Sequence, residues 1–79
     1  MKVSVNVLLS RLNIIEIDVN TNIYVNELKN KVLEKSKINV LKENLLFNKI
    51  KKKDNDLIYL ENLTDTDYEI LIVKNFSHN

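Results

Sequence analysis

The sequence predicts an α+β fold, a mixed β-sheet with one main helix packed across it, in the order strand, strand, helix, strand, strand. Three observations carry the prediction. Near the N-terminus, Val3, Val5 and Val7 and then Ile15, Ile17 and Val19 alternate with polar neighbours at period two. The period then lengthens, with Val25, Leu28 and Val32 spaced i, i+3, i+7. Two further apolar runs follow, Leu45-Leu46-Phe47 and Ile70-Leu71-Ile72-Val73, all within 79 residues.

Each element has its own justification. Val3, Val5 and Val7 against Lys2, Ser4 and Asn6 describe a half-buried strand. Ile15, Ile17 and Val19 against Glu16, Asp18 and Asn20 describe a second. Leu8 to Asn13 connects them as a hairpin loop of roughly four to six residues. Leu8, Leu9 and Leu12 sit in or beside that loop, although loops are normally polar. An amphipathic helix with a narrow apolar stripe is predicted from about Asn22 to Ser36. Thr21 and Asn22 are its expected caps, Glu27 suits the positive end of its dipole, and Lys35 and Lys37 suit the negative end.

Ile38 to Glu43 reads as a connector, and Leu45-Leu46-Phe47 as a short third strand. Asn48-Lys49 is a turn, after which Ile50 begins a short return strand. Lys51 to Asp56 reads as a polar loop, and Leu57 to Leu63 as a turn-rich segment anchored by Leu57, Leu60 and Leu63. Tyr68 to Val73 is the last strand, apolar on both faces from Ile70 onward, as expected of a central strand covered by a helix on one side. This layout is that of a β-grasp domain.

Composition narrows the function. A chain of this length makes one domain, and a domain so small buries only about 60% of its unfolded surface. There is no Cys, so there is no disulfide framework and no thiolate chemistry. There is no Gly, so the usual phosphate-cradling loops are excluded, and no Pro. Left-handed turn positions fall to other residues, with Asn13, Asn22, Asn48 and Asn55 the expected ones. The net charge of +1, with acids and bases mixed, does not describe a nucleic-acid binder. The chain goes straight into a strand pattern with no signal-peptide core, which points to a soluble protein of the cytoplasm or nucleus.

The residues in this order resemble the ubiquitin-like family over roughly Met1 to Lys74, leaving 75–79 as a short tail. The likeness rests on the opening Met1-Lys2-Val3-Ser4-Val5 strand and the helical Leu28-Lys29-Asn30-Lys31-Val32 segment. Ile38 at the end of the helix connector, Leu45-Leu46-Phe47 and Ile70-Leu71-Ile72-Val73 complete it. The spacing from helix to third strand fits without a gap. Two departures bear on function. Ubiquitin-like modifiers end in Gly-Gly, whereas this sequence ends Lys74-Asn75-Phe76-Ser77-His78-Asn79, and as it stands it cannot be conjugated. Ile50 falls where ubiquitin carries its main degradative chain-forming lysine. The resemblance therefore implies the non-conjugated kind, often the targeting module of a longer adaptor.

It also implies where recognition occurs. The family's main patch is a shallow apolar sheet face built from the hairpin tip, the third strand and the last strand. Carried over, Leu46 takes the centre, Leu71 and Val73 flank it if Ile70 and Ile72 face the core, and Leu8 or Leu9 takes the hairpin position, with Lys49 on the rim. Leu71 stands where the family has a His or another polar residue, which makes this face more apolar. A flat patch of that kind suits one amphipathic helix. The implied partners are ubiquitin-interacting helices and proteasome receptor subunits, bound by a monomer without a cofactor.

Other constellations carry less. Lys49, Lys51, Lys52 and Lys53 form the one basic run, but lack the aromatic interleaving that base stacking needs. Asp54, Asp56, Asp65 and Asp67 lack the Gly and distal Glu of a calcium loop and read as turn residues, with Thr64 to Asp67 a turn before the last strand. His78 lies in the tail, away from any nucleophile, and reads as solvent-exposed. Tyr24, Tyr59 and Tyr68 read as partly buried structural residues, and enzyme activity is not expected. The alternatives are a Ras-binding or scaffold-type domain using Glu16 and Asp18 on its second strand, and a modifier whose Gly-Gly tail lies beyond this sequence.

Overall fold

In the computed structural model, which describes residues 1–64 and 66–76, the N-terminal valine alternation becomes strand β1 (Lys2–Leu8). Val3, Val5 and Val7 are fully buried, while Lys2, Ser4 and Leu8 are exposed. β2 (Leu12–Asp18) pairs with it antiparallel, with Leu8 opposite Leu12. The hairpin loop is thus only Leu9 to Arg11, shorter than the sequence pattern suggests, because the two leucines extend the ladder. At the far end Met1 and Val19 exchange backbone hydrogen bonds of 2.7 and 2.9 Å.

The short strand β3 (Ile23–Tyr24) leads into helix α1 (Val25–Ser36), later than predicted. Thr21 and Asn22 do not cap it. Tyr24 is the N-cap, with no side-chain cap bond, and the first helical amides are taken up by distant carbonyls. The Val25 amide donates to the Asp56 carbonyl and the Asn26 amide to the Asp54 carbonyl, each at 3.0 Å. Asn22 serves instead as an acceptor for the backbone amides of Leu60 and Glu61, at 2.9 and 3.2 Å. Carbonyls from far along the chain fill the helix start, which leaves the local polar residues for other work.

α1 buries Val25, Leu28 and Val32, the predicted stripe, together with Lys29. It ends at Lys37, which takes a left-handed conformation (φ 64°) while its amide donates to the Leu33 carbonyl at 2.8 Å. Glycine usually fills that position. The other positive-φ residues are Asn48, Lys49 and Asn62 among the described residues, so of the four asparagines expected there only Asn48 is found.

β4 (Asn44–Phe47) and β5 (Ile50–Lys52) form a hairpin whose turn residues, Asn48 and Lys49, both have positive φ (52° and 69°). Two such residues in sequence match the right-handed twist of the flanking strands. The predicted polar loop therefore loses Lys51 and Lys52 to β5. The Asn48 turn is clipped to the chain before the last strand, its amide donating to the Glu69 carbonyl at 2.9 Å and its side-chain oxygen accepting from the Glu69 amide at 2.8 Å.

β6 (Leu57–Ile58) pairs with β3 in a separate two-stranded ribbon, where the sequence pattern suggests a turn-rich segment. Its deepest anchors are Ile58 and Leu60, with Leu57 and Leu63 half-buried. Tyr59 lies between two inward side chains and is forced out, 66% exposed, and Tyr24 is 51% exposed. Neither is the half-buried structural tyrosine anticipated. Tyr68 is, packing on the core and stacking on Phe47 with ring centroids 6.4 Å apart.

β7 (Ile70–Val73) lies in the middle of the five-stranded sheet, parallel to β1 and antiparallel to β4, in the order β2-β1-β7-β4-β5. With α1 across one face this is a β-grasp-like α+β fold. Asp65 and His78 lie outside the described residues. Among the described residues no helix is long and apolar enough to cross a membrane.

Candidate interaction face

Register decides which side chains share the open face of the sheet, the face turned away from α1. Ile70 and Ile72 are buried, so Leu71 and Val73 turn outward, as the alternation requires. Leu45 is buried, so Leu46 turns outward beside Leu71. Two cross-strand rows result. One runs Leu12, Leu8, Val73, Asn44, and the next runs Ile14, Asn6, Leu71, Leu46, Lys51.

Leu8, Leu46, Leu71 and Val73 are therefore brought together. Leu8 is 45% exposed, while Leu46, Leu71 and Val73 are half-buried by one another and their strand neighbours. Leu9 is not part of the face. It is half-buried and packs on the core from the hairpin turn, because it falls one step out of phase with Leu8. Lys49 is exposed at the β4–β5 turn, on the rim. Lys51 lies closer to the patch centre than Lys49, directly across from Leu46.

Two residues extend the face beyond those expected from the sequence. Leu12 and Ile14 on β2 are 56% and 63% exposed and continue the two rows to the sheet edge. Their signal is present in the sequence. Both occupy the phase that carries Glu16 and Asp18 further along the strand, so each is an apolar residue at a polar position.

Among the described residues one buried cation positions the strand at the patch centre. Lys29 is 4% exposed, and its Nζ donates to the Glu43 carbonyl at 2.7 Å, to Asp54 Oδ1 at 2.8 Å and, at longer range, to the Leu41 carbonyl at 3.4 Å. An ammonium has three donors, and all three are used. The segment entering β4 is thereby tied to α1. Glu43 in turn accepts the Asn75 backbone amide on Oε1 at 2.9 Å, and the Asn75 side chain donates to the Lys42 carbonyl at 3.3 Å. The chain leaving β7 is held to the same loop.

Asp56 and Asp67 act in turns. Asp56 Oδ2 accepts the Lys53 amide at 2.7 Å. Asp67 Oδ2 accepts the Thr64 amide at 2.7 Å and its hydroxyl at 2.8 Å, closing the expected turn before β7. Those bonds, the backbone one foremost, hold the Asp67 carboxyl below the ordinary aspartate pKa.

The two rows are aliphatic apart from Asn6, Asn44 and Lys51. Such a surface offers apolar area for desolvation and a cationic rim. Comparison with family models, with curated proteins and with solved structures finds no match for this chain.

Proposed function

We propose that this chain is a non-enzymatic, ubiquitin-like interaction module that presents its open sheet face to helical motifs of the kind found in ubiquitin receptors and proteasome subunits. The observation that carries the reading is the clustering of Leu8, Leu46, Leu71 and Val73 in two adjacent cross-strand rows. An amphipathic helix laid over these rows would bury its apolar stripe on the leucines and meet Lys49 and Lys51 with its acidic flank. A contact of this size is weak and transient, which suits an adaptor that hands a bound protein on. A cytoplasmic or nuclear setting belongs to the same reading.

The experiment is an amide NMR titration of the labelled protein with a ubiquitin-interacting helical peptide. Shifts concentrated at Leu8, Leu46, Leu71, Val73 and Lys51 are the expected result. A spectrum unmoved by peptide at about millimolar concentration, where binding free energies reach only about −4 kcal/mol, overturns the proposal.

A further inference from the structure

The positive charge of this chain is gathered at one place. A hollow of about 370 Å³ opens where the connector before β4, the strand β5 with the loop after it, and the chain leaving β7 meet. Lys29, Lys42, Lys51, Lys52 and Lys53 line it against two acids, Glu43 and Asp54, a net charge of +3. The whole chain carries only +1, so the rest of it is net negative. A hollow of similar size between β2 and α1 is balanced, with Lys31 and Lys35 against Asp18 and Glu34.

The two acids are already engaged, and four of the lysines are not. Asp54 Oδ1 holds Lys29 Nζ, and Glu43 Oε1 accepts the Asn75 amide. Among the described residues Lys42, Lys51, Lys52 and Lys53 make no ion pair. Asp56, whose carboxylate accepts the Lys53 amide, does not line the hollow. Lys29 fastens the walls, bonding the Glu43 carbonyl on one side and Asp54 on the other. The four unpaired lysines are thus kept around one hollow although they repel. Protection of an exposed sheet edge accounts for lysines on β5. It does not account for Lys42, which lies on the connector.

We propose that this hollow binds a small anion bearing two or more phosphoryl groups. Two such groups bring a charge of about −3 to −4 near neutral pH, which matches the lining. Lysines act as point charges and suit the spread oxygens of such an anion, whereas a planar carboxylate is better met by an arginine fork. The one arginine, Arg11, stands in the β1–β2 hairpin loop and does not line the hollow. Among the described residues no aromatic side chain lines it, so the bases of a nucleic acid would find no stacking platform. Its volume lies at the lower end of the range for small-molecule sites.

The test is an amide NMR titration of the whole labelled chain with inorganic tripolyphosphate, with thermal melts alongside. It is run in about 0.15 M salt, where charges more than about 8 Å from the ligand are screened. Shifts are expected at Lys42, Lys51, Lys52 and Lys53, with a melting temperature that rises with ligand concentration. Lys42→Gln and Lys52→Gln should each weaken binding roughly five-fold; they are chosen because Lys51 also borders the apolar face. Lys31→Gln and Lys35→Gln, on α1 outside the hollow, should leave binding unchanged. A second arm uses phosphatidylcholine vesicles containing phosphatidylinositol bisphosphate, against phosphatidylserine vesicles of equal charge. Cosedimentation with the first alone assigns the phosphoryl groups to a lipid headgroup, and tripolyphosphate binding without cosedimentation assigns them to a soluble anion. No shift at about 10 mM tripolyphosphate, far above any useful affinity, overturns the proposal. So do equal losses in Lys31→Gln and Lys42→Gln, equal cosedimentation with both vesicles, or a polyglutamate peptide that moves the same amides at lower concentration than tripolyphosphate.

Discussion

Replacing Lys29 tests whether the segment entering β4, and with it Leu46, is held by backbone contacts or by an ion pair. The ammonium meets Asp54, whose side chain is 62% exposed, so that pair contributes at most about 1 kcal/mol. The 2.7 Å bond to the Glu43 carbonyl is charge-assisted and part-buried, and bonds of that kind contribute about 1.5–3 kcal/mol. The 3.4 Å approach to Leu41 adds little. Lys29→Met keeps the apolar stem and should cost about 2–3 kcal/mol. Lys29→Ala also removes buried methylenes, at about 0.8 kcal/mol each, and should cost more. Asp54→Asn should cost less than about 1 kcal/mol. At 0.05–0.15 kcal/mol per residue a chain of 79 residues has a total stability of about 4–12 kcal/mol, so the Lys29 variants remove a large share. Urea unfolding at neutral pH reads all three as midpoint shifts at constant slope. If Asp54→Asn costs as much as Lys29→Met, the ion pair is the anchor and the reasoning from carbonyl contacts is wrong.

Leu46→Asp should lower stability by only about 1–2 kcal/mol, the sum of strand preference and one cross-strand pair, yet weaken helix binding by roughly 30-fold or more, as a central contact does; unfolding of this variant in thermal melts would instead place Leu46 in the core. Lys37→Gly should raise the melting temperature, by about 0.5–1 kcal/mol of stability, because glycine relieves the left-handed helix end at a cost in unfolded-state entropy. The Asp67 carboxyl has a folded pKa below its unfolded one, so its stabilising effect is complete above the ordinary aspartate value of 3.8 and fades as pH falls through the lower folded value. Asp67→Asn should accordingly narrow the stability difference between pH 7 and the acid range, and an unchanged acid unfolding profile would contradict the turn's role.

Much of this molecule follows from local pattern. Period two in the first two strands, period 3.6 in the helix and the apolar run Ile70 to Val73 each report a one-sided or central burial that the fold reproduces. Alternation alone assigns Leu71 and Val73 to the open face once Ile70 and Ile72 take the core, because successive residues of a strand point to opposite sides. Even Leu12 and Ile14 are legible as apolar residues at a polar phase. Other features depend on partners far away in the chain. The start of α1 is set by carbonyls at Asp54 and Asp56, which is why the local capping rule misplaces it. Lys29 looks like any helical lysine in sequence, and only the return of Leu41, Glu43 and Asp54 to its ammonium makes it a buried pin. The meeting of Lys42 with the β5 lysines around one hollow exists only once the strands are ordered in space. Side-chain periodicity is written along the chain, whereas hydrogen-bond partners and strand neighbours are settled by closure of the sheet.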